Sequence, residues 1–509
     1  PMTSSYSAST ASQSHHESVI QDLLMENIMP LYFKNVLYPM FHKVIQASSN
    51  IYFIHLLTFY MSLQSTTDII LVNQVCLTIF GLIGRYFANS VSNQVFQLIN
   101  NHNSYAASSL VFYQLCSALI VSIIGMVIIE VLKTNLLNII STTNVDLYFQ
   151  ISFYFAPISQ TLFEFVKEVQ YLERNMNHSI QAVQSALSLV AMQVMFIVTS
   201  AMASTTDQLT LVAVLYNLMQ SLVTIFFLRG HFLKKSKNIL RFEFAMLKNL
   251  QPKLALYMLG LGLLGLFRNG IDEIVTLLIF MTTFSRDPSD VNLKVVFINF
   301  FIYIQLYQIA DSYNQAQIPF LREFFHMNSN LGRQFKAFTT GMGASFFINC
   351  VLGGFTYWVS ELIHTVVFRS DDPLFLEASA ANNSLVGLAA VIPVIKTFVP
   401  YVQTRFQAKQ EWIFWAIQLC YLASIFAIIF LLPGQDHTLC HLGYQLTVGV
   451  ACLIMYFMYL KFLTKQMKFE RENVQQKQDR FDDDQELVQL PTGRNSDKEN
   501  SKPLTNSFK

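Results

Sequence analysis

The sequence predicts an all-α integral membrane protein: twelve transmembrane helices in two six-helix lobes, a short cytoplasmic N-terminus and a disordered C-terminal tail. Three observations predict it. The 509 residues are 53% hydrophobic and only 13% charged, whereas soluble domains carry roughly 25% charged residues. Apolar blocks recur at roughly the 20-residue length a spanning helix needs, separated by short polar breaks. A long basic segment at 229–253 divides those blocks six and six.

In order, the predicted spans are 33–55, 67–93, 107–131, 147–169, 179–202, 207–228, 254–281, 293–316, 337–358, 380–402, 412–432 and 442–463. His42 and Lys43 interrupt the first, which makes it the weakest. Cytoplasmic loops are enriched in Lys and Arg. With the N-terminus inside, the inner loops hold 13 such residues, seven of them between Arg229 and Lys253, and the outer loops hold four: Lys133, Arg286, Lys294 and Arg369. Both termini are therefore expected in the cytoplasm. The domain reading is an N-terminal segment (1–30), an N-lobe (31–228), a basic inter-lobe linker (229–253), a C-lobe (254–465) and a polar tail (466–509).

Composition also excludes function classes. A formal net charge of +1 without a basic stripe offers nothing to nucleic acid. The first 20 residues lack the basic start and apolar core of a cleaved signal, so the first span is expected to direct insertion. Five of the six cysteines fall inside spans, where they pack as small apolar groups; Cys440 near His437 and His441 is too few ligands for zinc. There is no phosphate loop, catalytic nucleophile or metal cluster, so neither ATP-driven transport nor an enzyme is expected. The tail "QQKQDRFDDDQELVQLPTGRNSDKENSK" is too polar to bury a core.

The halves carry traces of an internal repeat. "FVKEVQ" at 165–170 and "FVPYVQ" at 398–403 share four of six positions at the inner end of the fourth span of each half. "NS" at 103–104 recurs at 328–329. A six-plus-six repeat suggests a transporter whose lobes rock about a central site.

On these motifs the chain resembles the multidrug and toxic compound extrusion (MATE) family, within a wider group that includes lipid-linked oligosaccharide flippases. "QLINNHNSYAA" (97–107) is similar to that family's Q-A-L-G-A-G-N-x-x-x-A segment at Gln97, Asn103 and Ala107, and "REFFHMNSNLG" (322–332) offers Asn328. "YLERNMNHS" (171–179), "VQTRFQAKQ" (402–410) and "FRSDDPLFLEASAANNS" (368–384) resemble its later segments, so the likeness runs over about 30–465. The signature glycines are replaced by Asn100 and His102 in one half and by Phe325 and Met327 in the other, which marks a divergent member. The major facilitator superfamily also has two six-span halves, but the loop "LINNHNSYAA" lacks its charged motif.

The candidate site comes from charges that a bilayer disfavours. "LGLLGLFRNGIDEIVTLLIF" (261–280) places Arg268, Asp272 and Glu273 in an apolar stretch, and each charge costs at least about 2.5–3.5 kcal/mol at the bilayer centre unless it faces a partner or cavity. Arg268 and Asp272, four residues apart, can neutralise one another. Glu273 lies about 100° around the helix, which leaves it available to bind a proton or attract an organic cation. The resemblance implies that Asp272 or Glu273 is the seventh-span acidic residue used in cation coupling. It also implies a first-span acidic position, where this sequence has Asn50, so the coupling role shifts towards the seventh span. Asp311, with Asn299, Gln305 and Gln308, makes the eighth span polar enough for a cavity wall or an interhelical seam. Lys396, between Pro393 and Pro400, reads either as a counter-ion in the second half or as a snorkelling lysine. The fourth span contains Glu164, Lys167 and Glu168; Glu164 with Lys167 or Glu168 is at pairing distance and, near an inner end, reads as structural.

The resulting expectation is an antiporter exporting small organic, cationic compounds in exchange for H+ or Na+. It needs no cofactor beyond the ion gradient and works as a monomer in the plasma membrane or an endomembrane or vacuolar compartment. The alternative is a lipid-linked oligosaccharide or lipid flippase, which a cavity lined by several cations would favour.

Overall fold

The computed structural model describes residues 28–60, 63–140, 146–172, 206–233, 238–249, 252–271, 273–274, 277, 291–327, 331–367, 387, 389–406, 423 and 437–488. Every regular element among them is helical. The helices are α1 (Ile28–Tyr60), α2 (Leu63–Cys76), α3 (Leu82–Ser90), α4 (Ser92–Asn100), α5 (Ser104–Ile140), α6 (Asp146–Ala156), α7 (Phe163–Leu172) and α8 (Thr206–Phe232). They continue as α9 (Pro252–Asn269), α10 (Val291–Ala310), α11 (Ser312–Met327), α12 (Leu331–Lys336), α13 (Met342–Val367), α14 (Val399–Phe406) and α15 (His437–Val488).

The helices fall where apolar length predicts them. The expected spans at 179–202 and 412–432 lie outside the described residues, apart from 423. The weakest expected span is the continuous helix α1, which absorbs Pro39, His42 and Lys43. Four helical stretches among the described residues are long and apolar enough to cross a bilayer: Thr66–Ser90, Ser104–Val131, Gln334–Val359 and Leu442–Phe469. Three of them, all but the largely buried Thr66–Ser90, also turn large apolar side chains outward. On α5, Ile120, Ile123, Ile124, Val127, Ile128 and Val131 stand at least half exposed, a contiguous stripe that water would penalise and lipid tails accept. The chain is an integral membrane protein by this evidence.

The chain divides into two units, Pro1–Phe457 and Met458–Lys509. The tail expected to be unstructured from 466 is instead helical to Val488. Its run of Glu, Gln, Lys and Arg explains the difference: these residues are good helix formers that need no core when they follow an existing helix.

Within the first unit, helices from the two sequence halves meet along two seams. Helix α1 packs against α10 and α11, and α9 packs against α3 and α5. Glycine makes the second seam close: a Cβ on Gly262 would stand 2.4 Å from the Phe87 ring, and one on Gly265 would stand 3.1 Å from the Tyr86 carbonyl. Small residues at such crossings are the usual means of close helix approach in lipid.

The turn after α4 explains a motif match. The amides of His102 and Asn103 donate to the carbonyls of Ile99 and Leu98, the paired bonds of a helix ending in a left-handed residue. That residue is His102, at φ 56°, where the resembling family has glycine. Asn103 then caps the next helix, its Oδ1 accepting from the Ala106 amide at 3.1 Å.

Candidate functional site

Two π turns position the first part of the site. One, Leu77–Gly81, precedes α3; the other, Pro157–Leu162, precedes α7. They interlock: Thr161 Oγ1 donates to the Phe80 carbonyl at 2.9 Å, and a Cβ on Gly84 would stand 2.1 Å from the Thr161 carbonyl. Single π turns inside helices concentrate at functional sites because they re-aim the following side chains. Here the following side chains are Arg85 and Glu164.

Glu164 is the hub. Lys167 Nζ lies 2.9 Å from both of its carboxylate oxygens, and Arg85 reaches Oε2 through Nη2 at 3.3 Å and Nε at 3.4 Å. Glu164 and Lys167 are almost wholly buried. This confirms the expected Glu164–Lys167 pair and adds a second cation to it.

Arg85 also crosses the seam. Its Nη1 lies 3.4 Å from Glu273 Oε1, and the same oxygen accepts from the Tyr86 hydroxyl at 3.3 Å. The side chains of Arg85 and Glu273 remain 29% and 36% exposed, so this outer half of the network is partly exposed while the Glu164 half is closed. Of the other seventh-span charges, Asp272 and the side chain of Arg268 lie outside the described residues.

The α1 seam is polar as well. Asn50 Nδ2 donates to Gln305 Oε1 at 2.9 Å, and Lys43 Nζ donates to Gln315 Oε1 at 2.8 Å. Gln315 passes the contact on, its Nε2 donating to Asp311 Oδ2 at 3.1 Å. Asp311 is 3% exposed, and its other oxygen accepts from Asn314 Nδ2 at 2.8 Å. Of the eighth-span polar groups, Gln305 meets α1 and Asp311 holds the Asn314 and Gln315 amides at the start of α11.

Lys396 does not snorkel. It is 6% exposed, and its Nζ lies 2.6 Å from both the Tyr307 hydroxyl and Gln445 Oε1. A 3₁₀ turn at Lys396–Phe398, between the two prolines, turns it inward. "FVKEVQ" comes just after a π turn, whereas "FVPYVQ" begins within the 3₁₀ turn, at Phe398.

Of the positions the sequence singles out, Asn50 meets Gln305, Asp311 meets Asn314 and Gln315, Lys396 meets Tyr307 and Gln445, and Glu273 meets Arg85 and Tyr86. Sequence reasoning overlooked Arg85 in "FGLIGRYFANS", which the same test, a charge within an apolar block, would have found. Lys43 was noticed only as an interruption.

The fold places the chain among known structures. It is similar to a MOP superfamily transporter from Pyrococcus furiosus, with TM-score 0.64 and 10% identity over 85% of this chain and 96% of that one. A MATE transporter in complex with MaL6 matches with TM-score 0.65 and 12% identity, over 85% of this chain and 96% of that one. The eukaryotic MATE transporter AtDTX14 matches with TM-score 0.56 and 10% identity, over 86% and 98%. No family model matches the sequence, and no curated protein matches it significantly. At such identities the likeness establishes the fold: the chain has the architecture of MATE transporters of the MOP superfamily.

Proposed function

We propose that the protein is a secondary active transporter, a MATE-like antiporter that exports a small organic cation in exchange for H+ or Na+. Alternating access of two six-helix lobes, 31–228 and 254–465, would carry the substrate across. The observation that carries this reading is the Arg85–Glu273 pair. It joins the halves at a helix seam, and Glu273 stays accessible. A bound proton or organic cation would replace Arg85 as the partner of Glu273, and Arg85 would fall back on Glu164, which it already touches. The exchange changes which charges bridge the seam without stranding one in the membrane interior.

The fold-sharing MATE structures support the transport class. No cofactor is invoked beyond the ion gradient, and the partners are the substrate, the ion and membrane lipid, with the protein acting as a monomer.

A flippase for lipid-linked glycans is the second reading. Lys43, Arg85 and Lys396 add to its case, because anionic diphosphate head-groups need inward-facing cations. The P. furiosus neighbour is itself described as having a binding pocket of reversed polarity, suggesting a different function.

Proteoliposomes separate the readings. With an imposed pH or Na+ gradient, the antiporter reading expects efflux of members of an organic-cation panel. Transfer of a labelled lipid-linked glycan between leaflets, with no cation moved, would replace it with the flippase.

A further inference from the structure

The described part of the segment joining the two halves is held in place. The Phe242 amide donates to the His231 carbonyl at 2.9 Å, and the His231 ring, stacked on Phe242 with centroids 5.1 Å apart, keeps Nδ1 3.0 Å from the Leu240 carbonyl. The segment is also pinned to α5. Ser108 Oγ accepts from the Arg241 amide at 3.0 Å, and the Tyr113 hydroxyl donates to the Met246 carbonyl at 2.8 Å. Leu240, Phe242 and Met246 are buried, and a short 3₁₀ helix, Phe244–Asn249, leads towards α9.

Orientation in the membrane would not require this. Loop cations suffice to set which way a spanning chain inserts, with no ordered backbone around them. This segment instead orders an apolar face outward. Residues three apart eclipse one another in a 3₁₀ helix; with Met246 turned in, Phe244 and Leu247 stand together facing out, 72% and 38% exposed. The Phe244 ring is braced there by stacking on Phe232, with centroids 5.3 Å apart. Leu233, just past α8, is exposed as well.

Cations flank that face. Arg229, Lys248 and Lys253 are exposed, and 229–253 carries seven Lys and Arg against one acidic residue, Glu243. Apolar side chains interleaved with cations suit the boundary of a bilayer, where the first enter the acyl region and the second stay at the head-groups. Anionic head-groups in turn attract a basic segment next to a spanning helix. A free anion would answer the cations and leave Phe244 and Leu247 in water.

We propose that the inter-lobe segment, 238–249 with the start of α9, is a docking surface for anionic phospholipid. Lys248 and Lys253 meet the head-group phosphates, and Phe244 and Leu247 enter the adjoining acyl chains. The proposal rests on the membrane placement of the chain and holds for an antiporter and a flippase alike.

The test is thermal unfolding of the purified full-length protein in non-ionic detergent, titrated with phosphatidylglycerol or with phosphatidylcholine of the same acyl chains. Binding to the folded state raises the midpoint by mass action. A saturable rise is expected with phosphatidylglycerol and not with phosphatidylcholine, and added salt should weaken it by screening. Lys248→Gln with Lys253→Gln should raise the half-saturating phosphatidylglycerol concentration by about tenfold or more, since each charge near an anionic surface is worth about fivefold. Lys248→Arg with Lys253→Arg should keep the native response. Lys465→Gln with Lys468→Gln, two exposed cations on α15, should leave it unchanged. Phe244→Trp reads the apolar half: the emission it adds should be quenched by phospholipid with brominated acyl chains. The proposal is overturned if phosphatidylcholine or dissolved pyrophosphate gives the same rise, if the two lysine-to-glutamine pairs act alike, or if the emission added by Phe244→Trp goes unquenched.

Discussion

Arg85 and Glu273 stand 3.4 Å apart although 188 residues separate them in the chain, and the same guanidinium holds Glu164 at 3.3 Å. One cation is thus shared between a closed carboxylate and an open one. The two should respond differently to mutation. Glu164→Gln leaves Lys167 and Arg85 facing a neutral amide in a buried place, and removing one partner of a buried pair costs about 3–5 kcal/mol. Glu273→Gln removes a partly exposed pair, for which about 0–1 kcal/mol is expected after solvent screening. Thermal unfolding in detergent should show a large fall for the first variant and a small one for the second.

The glycine seam gives a packing test on one helix. Gly262→Ala drives a methyl group into the Phe87 ring, which is fully buried and has nowhere to move, so a loss of about 1–3 kcal/mol is expected from overpacking. A Cβ on Gly260, two residues away, meets nothing within 4 Å. Gly260→Ala should therefore be neutral or raise the unfolding midpoint slightly, as helix propensity favours alanine. Equal losses at the two positions would count against the seam.

His102 is a non-glycine residue in the left-handed region, a conformation costing roughly 1–2 kcal/mol for most side chains. His102→Gly should stabilise the turn and His102→Val should destabilise it. Asn103→Ala, which removes the cap of α5, should cost about 0.5–2 kcal/mol. All three are read from unfolding midpoints.

The α1 seam bears on transport. Asn50 and Gln305 bridge helices from opposite halves. With native cysteines replaced, Asn50→Cys and Gln305→Cys joined by a short bifunctional thiol reagent should stop transport. A reagent with a reducible link should let a thiol restore it. Undiminished transport in fully cross-linked protein would show that this seam does not open.

Apolar length made the described helices legible, because a run of about 20 apolar residues carries its own signal. Charge within an apolar block pointed to Glu273, Asp311 and Lys396. Their partners were not legible, because pairing between spans depends on which helices are neighbours, and no local spacing encodes that. Glu273 illustrates this: Arg85, one of its partners, lies 188 residues away on another helix. Lys396 illustrates the role of backbone: lysines near helix ends ordinarily snorkel, but the proline-flanked 3₁₀ turn points this one inward. The helical tail escaped notice because a composition too polar for a core can still continue a helix.

The central claim is that Glu273 couples the ion gradient to substrate movement. The direct measurement compares native protein and Glu273→Gln in proteoliposomes, following both gradient-driven efflux and substrate exchange at equilibrium. The account predicts that the variant still exchanges substrate but no longer concentrates it when a gradient is imposed. If Glu273→Gln concentrates substrate as well as the native protein does, Glu273 is not the coupling group and the account is wrong.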